Sequence, residues 1–165
     1  MAIPLRKPNE IDKLRIANIA VAKTLNYLKT TVKAGMTLKQ VDEMGEKFLR
    51  DLGARPSFKG LYGFPAAICT SLNEVIIHGI PTDVVLKEGD VLGIDIGSEI
   101  DGWYGDSAIT MPIGKISKED EALIACAKDS LYYAIDVIKE GMRFKELSKL
   151  IEDFTNCNEF CFDTE

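Results

Sequence analysis

The chain opens on a helical rhythm. From Asn9, a good N-cap with Glu10 in the first turn, apolar residues recur at Ile11, Leu14, Ile16, Ala17, Ile19, Ala20 and Leu25, and Gly35 ends the stripe. This spacing predicts a first long helix. Thr37 followed by Gln40 forms a capping box, so a second helix is expected to run to about Leu52, just before Gly53. The pattern then changes to short apolar runs at 66–70, 74–77, 91–97 and 103–111, which predict strands. Ser117 with Asp120 opens a third helix expected to stop at Gly141, and a fourth starts near Phe144. Residues 155–165 show neither helical period nor alternation and are expected to form an atypical tail.

The order helix, helix, strands, helix, helix suggests a duplication. Val32-Lys33-Ala34-Gly35-Met36-Thr37-Leu38-Lys39 lines up with Ile138-Lys139-Glu140-Gly141-Met142-Arg143-Phe144-Lys145. At the same offset Glu46 falls opposite Glu152, and Phe48 opposite Phe154. Both copies place Gly at a helix end, where a tight turn is needed. A chance match of two amphipathic helix starts is the alternative. If the repeat is real, its second copy has helices without strands, leaving apolar faces and sheet edges uncovered.

Composition narrows the class. With 165 residues, 46% of them hydrophobic, the chain can bury the core of one globular domain. Its net charge of −6 is spread along the sequence, so a basic face tracking nucleic acid is not expected. There is no apolar run long enough to span a membrane and no signal core behind Arg6 and Lys7, which points to the cytoplasm. Of the four cysteines, Cys69 and Cys126 sit in apolar runs and read as buried small hydrophobes. Cys157 and Cys161 could in principle hold zinc, but no second pair of ligands lies nearby.

The densest chemistry lies between Gly89 and Ala108. Asp101-Gly102 is a favoured two-residue hairpin loop, because both central positions need positive φ. With that loop, Ile100 pairs with Trp103, Gly97 with Asp106 and Asp95 with Ala108. Asp95 and Asp106 then become diagonal neighbours on one face, with backbones about 7–8 Å apart, close enough to serve one metal ion or bridge two. Asp95 lies between Ile94 and Ile96, and a carboxylate buried there without a partner is costly. A cation would compensate it; so would backbone amides. Asp106, between Gly105 and Ser107, could equally be an ordinary turn residue. Gly93, Gly97 and Gly105 are expected to clear space around the pair. His78, the only histidine, stands at a strand-to-loop transition, where it is either structural or a hydrogen-bond donor and proton carrier.

The residues Gly63-Phe64-Pro65-Ala66-Ala67-Ile68-Cys69-Thr70-Ser71-Leu72-Asn73-Glu74-Val75-Ile76-Ile77-His78-Gly79-Ile80-Pro81, followed by the Asp95–Asp106 block, closely resemble the signature of bacterial type I methionine aminopeptidases. The resemblance implies an α+β pita-bread fold, here incomplete: a first α/β half plus the helices of the second, within one partial catalytic domain over residues 1–165. It implies two divalent metal ions (cobalt, manganese, iron or zinc), with Asp95 chelating one and Asp106 bridging both. It also implies His78 on the scissile peptide, and Phe64, Cys69 and Leu61 lining the pocket for the methionine side chain. The substrate would be the N-terminal methionine of nascent polypeptides, removed by a metal-activated water, with ribosome association and a cytoplasmic location. The family's remaining ligands, a histidine and two glutamates, and a further assisting histidine have no counterpart here. This polypeptide alone is therefore expected to be inactive. Two other readings stay open: a non-catalytic pita-bread binding module, and a proline-specific relative.

Overall fold

The computed structural model describes residues 5–157, which divide into two compact units between Ile116 and Ser117. The first begins with α1 (Pro8–Thr31) and α2 (Leu38–Asp51). Lys7 rather than Asn9 caps α1, and its backbone N–H donates to the Glu10 carboxylate at 2.7 Å. The helix ends at Thr31, four residues before Gly35. Thr37 and Gln40 form the expected reciprocal cap of α2. The buried stripe of α1 is Ala17, Ala20, Val21, Thr24, Leu25 and Leu28, whereas Ile11, Ile16 and Ile19 are exposed. Small residues face inward because the sheet comes very close to this helix. A Cβ on Gly105 would lie 2.6 Å from the Ala17 carbonyl carbon, and Ser98 Oγ donates to the Ala17 carbonyl at 2.9 Å.

The sheet comprises β1 (Arg55–Pro56), β2 (Ile68–Leu72), β3 (Val91–Ile100) and β4 (Trp103–Pro112). Central β3 pairs antiparallel with β4 on one side and with β1 and β2 on the other. The turn is as expected, with Asp101 at φ 52° and Gly102 at φ 79°, and Ile100 meets Trp103 across it. Leu92, Ile94 and Ile96 of β3 point into one core with Val21, Leu28, Val41 and Leu49 from the helices. Alternation sends Gly93, Asp95 and Gly97 to the opposite face.

Strand β2 starts two residues later than the 66–70 run suggests, and β1 has no apolar run to announce it. No strand forms at 74–77. Asn73 takes φ 52°, and Val75, Ile76 and Ile77 are exposed in a loop. Asn73 instead ties into β3, its Oδ1 accepting from the Val91 N–H at 2.9 Å. Three β-branched residues in a row, Val75, Ile76 and Ile77, raise strand propensity, but that loop offers them no partner strand.

The second unit holds α3 (Lys118–Val137), capped by Ser117, and α4 (Phe144–Cys157). Helix α3 stops at Val137, where Ile138 turns extended, rather than at Gly141. Helix α4 takes in residues 155–157 of the segment expected to lack a pattern; residues 158–165, with Cys161, lie outside the described residues. The duplication extends into three dimensions. Gly35 and Gly141 have φ 90° and 82°. Tyr27 stacks on Phe48 with ring centroids 4.3 Å apart, and Tyr133 on Phe154 at 4.9 Å. All three pairs share one sequence offset.

Candidate active site

The six residues singled out in the sequence, Leu61, Phe64, Cys69, His78, Asp95 and Asp106, line one cleft of about 480 Å³ on the open face of the sheet. The hairpin register sets the acidic end: Gly97 pairs with Asp106 and Asp95 with Ala108, as expected. On its other side Asp95 pairs with Cys69 of β2. Three neighbouring strands thus present a thiol and two carboxyls to the same space. Gly97 keeps this face low, since a Cβ there would run into Ser57 and Phe58. Gly105 does not clear the site, contrary to expectation; it belongs to the opposite face, against α1.

Asp95 is the electrostatic focus. Burial first, and then the adjoining Asp106 carboxylate, push its carboxyl from 3.8 up to about 6, while His78 pulls it back down. Its Oδ1 is buried and has no hydrogen-bond partner. Backbone amides therefore do not fully compensate this carboxylate, and an orphaned acidic oxygen beside a second carboxylate suits a cation. Among the described residues no group of three His, Cys, Asp or Glu side chains could hold a metal. The pair fits two ligands of a divalent cation, not a full set. The same environment raises the Cys69 thiol to about 11, through burial and then the Asp95, Asp106 and Asp42 charges. Cys69 thus stays a neutral thiol and serves as wall, not nucleophile.

His78 is exposed and takes φ 57°. The loop behind it is pinned to β2: Thr70 N–H donates to the Gly79 carbonyl at 2.8 Å, and Gly79 packs so tightly on the Thr70 backbone that no side chain fits there. The apolar end comes from a hooked loop, Leu61–Gly63, with Gly60 and Gly63 both at positive φ. Phe58, Tyr62 and Ile80 also line the cleft and were not singled out from sequence. The glycines bracketing Leu61 and Tyr62 were the available signal. Asp42 of α2 was also missed. One of its carboxylate oxygens accepts both the Ala67 and Ile68 N–H groups at 2.9 Å, which sets the start of β2 just before Cys69. Burial raises its carboxyl above the usual range, and these two amides pull it back.

Paired acidic side chains, an imidazole and an apolar recess on this sheet suit a metal-dependent peptidase site. The sequence pattern of metallopeptidase family M24 matches residues 12–163, and the chain belongs to that family. It is 55% identical over 152 residues to a methionine aminopeptidase of Helicobacter pylori, covering 92% of this chain and 60% of that protein. It is 41% identical to methionine aminopeptidase 1 of Bacillus subtilis, covering 94% and 62%. The crystal structure of the Rickettsia prowazekii methionine aminopeptidase superposes with a TM-score of 0.94 at 29% identity, covering 97% of this chain and 64% of that one. The fold is therefore the α+β pita-bread fold, incomplete, since the chain spans about 60% of the length of the curated relatives it matches.

Proposed function

We propose that this chain carries the first half of an active site that removes N-terminal methionine from nascent polypeptides, within a single partial catalytic domain. The observation carrying the proposal is the Asp95–Asp106 pair, with its orphaned buried oxygen, at the acidic end of an apolar cleft. Asp95 and Asp106 would hold divalent metal ions, which when bound supply an activated water for peptide hydrolysis; oxygen ligands leave cobalt, manganese, iron and zinc as candidates. Phe64, Cys69 and Leu61 hold the methionine side chain. His78 donates a hydrogen bond to the scissile peptide and steadies charge as it develops there. The cytoplasm, and an encounter at the ribosome, follow from nascent chains as substrate.

Two carboxylates with a single histidine in the whole sequence make a weak catalyst. Metal sites depend on ligand count and on the groups supporting each ligand. We expect methionine release from a Met-Ala-Ser peptide by these 165 residues to stay at background with Mn²⁺ or Co²⁺, while methioninamide binds the cleft. Release that Asp95→Asn abolishes would show that two carboxylates suffice. Failure of methioninamide to bind would remove the reading of the cleft.

A further inference from the structure

We propose that Tyr62 is a specificity-determining residue at the cleft mouth, forming an aromatic platform for the peptide residues that follow the methionine. The inference rests on the reading of the cleft as a methionine site and names the part of the substrate beyond it.

Tyr62 lines the cleft yet is fully solvent-exposed, at 101%. It therefore marks the boundary where a bound chain leaves the cleft for solvent. Its backbone lies in the left-handed region, φ 48° and ψ 27°, which a bulky side chain rarely adopts and which glycine adopts freely. Gly60 and Gly63 on either side also take positive φ, at 88° and 83°. The hook is closed by its own backbone, Gly60 N–H donating to the Phe64 carbonyl at 2.8 Å and Phe64 N–H to the Leu61 carbonyl at 2.9 Å. The Tyr62 ring contributes no hydrogen bond or ring contact to that closure. Local folding would favour glycine at 62, so the strained, outward-facing ring is explained by what it meets from outside.

The geometry selects the ligand. A peptide whose first side chain fills the apolar end, with its first carbonyl near Asp95 and His78, must pass its second and third residues out through the mouth. A flat ring with one phenol there contacts backbone and small side chains at little entropic cost, because a tyrosine has only two rotatable side-chain bonds. It adds affinity for extended chains and nothing for free methionine.

The test uses the full 165-residue chain with Mn²⁺ and calorimetric binding of methioninamide and of a Met-Ala-Ser-Ala peptide. The peptide's first amide is reduced so that it cannot be cleaved. We expect Tyr62→Gly to weaken the peptide about fivefold more than it weakens methioninamide, and to hold or raise the thermal midpoint. Tyr62→Phe should stay within about twofold of wild type, since the ring is retained. Equal peptide affinity in wild type and Tyr62→Gly, or equal losses for both ligands, would overturn the role of Tyr62 alone. If wild type binds neither ligand, the cleft is not a methionine site and the inference falls with that reading.

Discussion

The two helix pairs are copies of one motif, yet they live in different solvents. At three equivalent positions the first copy is buried and the second is not: Leu25 is 5% exposed and Leu131 59%, Val32 9% and Ile138 53%, Leu38 4% and Phe144 82%. The first copy lays this stripe on a sheet; among the described residues no strand lies in the second unit. What survives in both copies is local: the glycine turn and the Tyr–Phe stack, which need only neighbouring helices. What differs is the sheet, and with the sheet comes the chemistry. Every candidate site residue belongs to the first unit, where three strands set two carboxylates and a thiol side by side on one face.

The contrast between the copies can be broken by substitution. Leu38→Ala should cost about 3 kcal/mol by emptying the core, whereas Phe144→Ala should change stability by less than about 0.5 kcal/mol. Denaturant unfolding gives both numbers, and equal losses would show that the second face is covered in solution. Shared features should respond alike. Gly35→Ala and Gly141→Ala each impose a left-handed backbone on alanine and should each cost about 1 kcal/mol. Double-mutant cycles on Tyr27–Phe48 and Tyr133–Phe154 should return couplings of about 0.5–1.5 kcal/mol in both units.

A further effect is one that only the first unit can show. The folded Asp95 carboxyl titrates near 6, above its ordinary 3.8. Between those values the folded chain keeps a proton that the unfolded chain has released, so this group's contribution to stability declines as pH rises through that window. Above about pH 6 the full penalty of the buried charge is present. The thermal midpoint of metal-free wild type should therefore fall relative to Asp95→Asn between pH 4 and 6.5, and a flat difference would refute the shift.

Much of this is legible in the sequence. The hairpin register followed from Asp101-Gly102, because a two-residue loop fixes every later pair and thereby the shared face of Asp95 and Asp106. Thr37–Gln40 and Ser117 marked their helix starts through local hydrogen bonds. Partner-dependent features were not readable. Val75-Ile76-Ile77 carry strand propensity yet meet no strand. Of the apolar stripe read on α1, a sheet that approaches within a glycine's reach buries Ala17 and Ala20 and leaves Ile11, Ile16 and Ile19 exposed. Asp42 acts across 25 residues on backbone amides, which no spacing rule announces.

Asp95 and Asp106 are expected to hold a divalent cation together. Titrating Mn²⁺ into the purified chain, with free Mn²⁺ followed by electron paramagnetic resonance, tests it most directly. Wild type should bind saturably, and both Asp95→Asn and Asp106→Asn should lose that binding while each keeps or raises the metal-free thermal midpoint. Undiminished Mn²⁺ binding in both variants, or none in wild type, would contradict it.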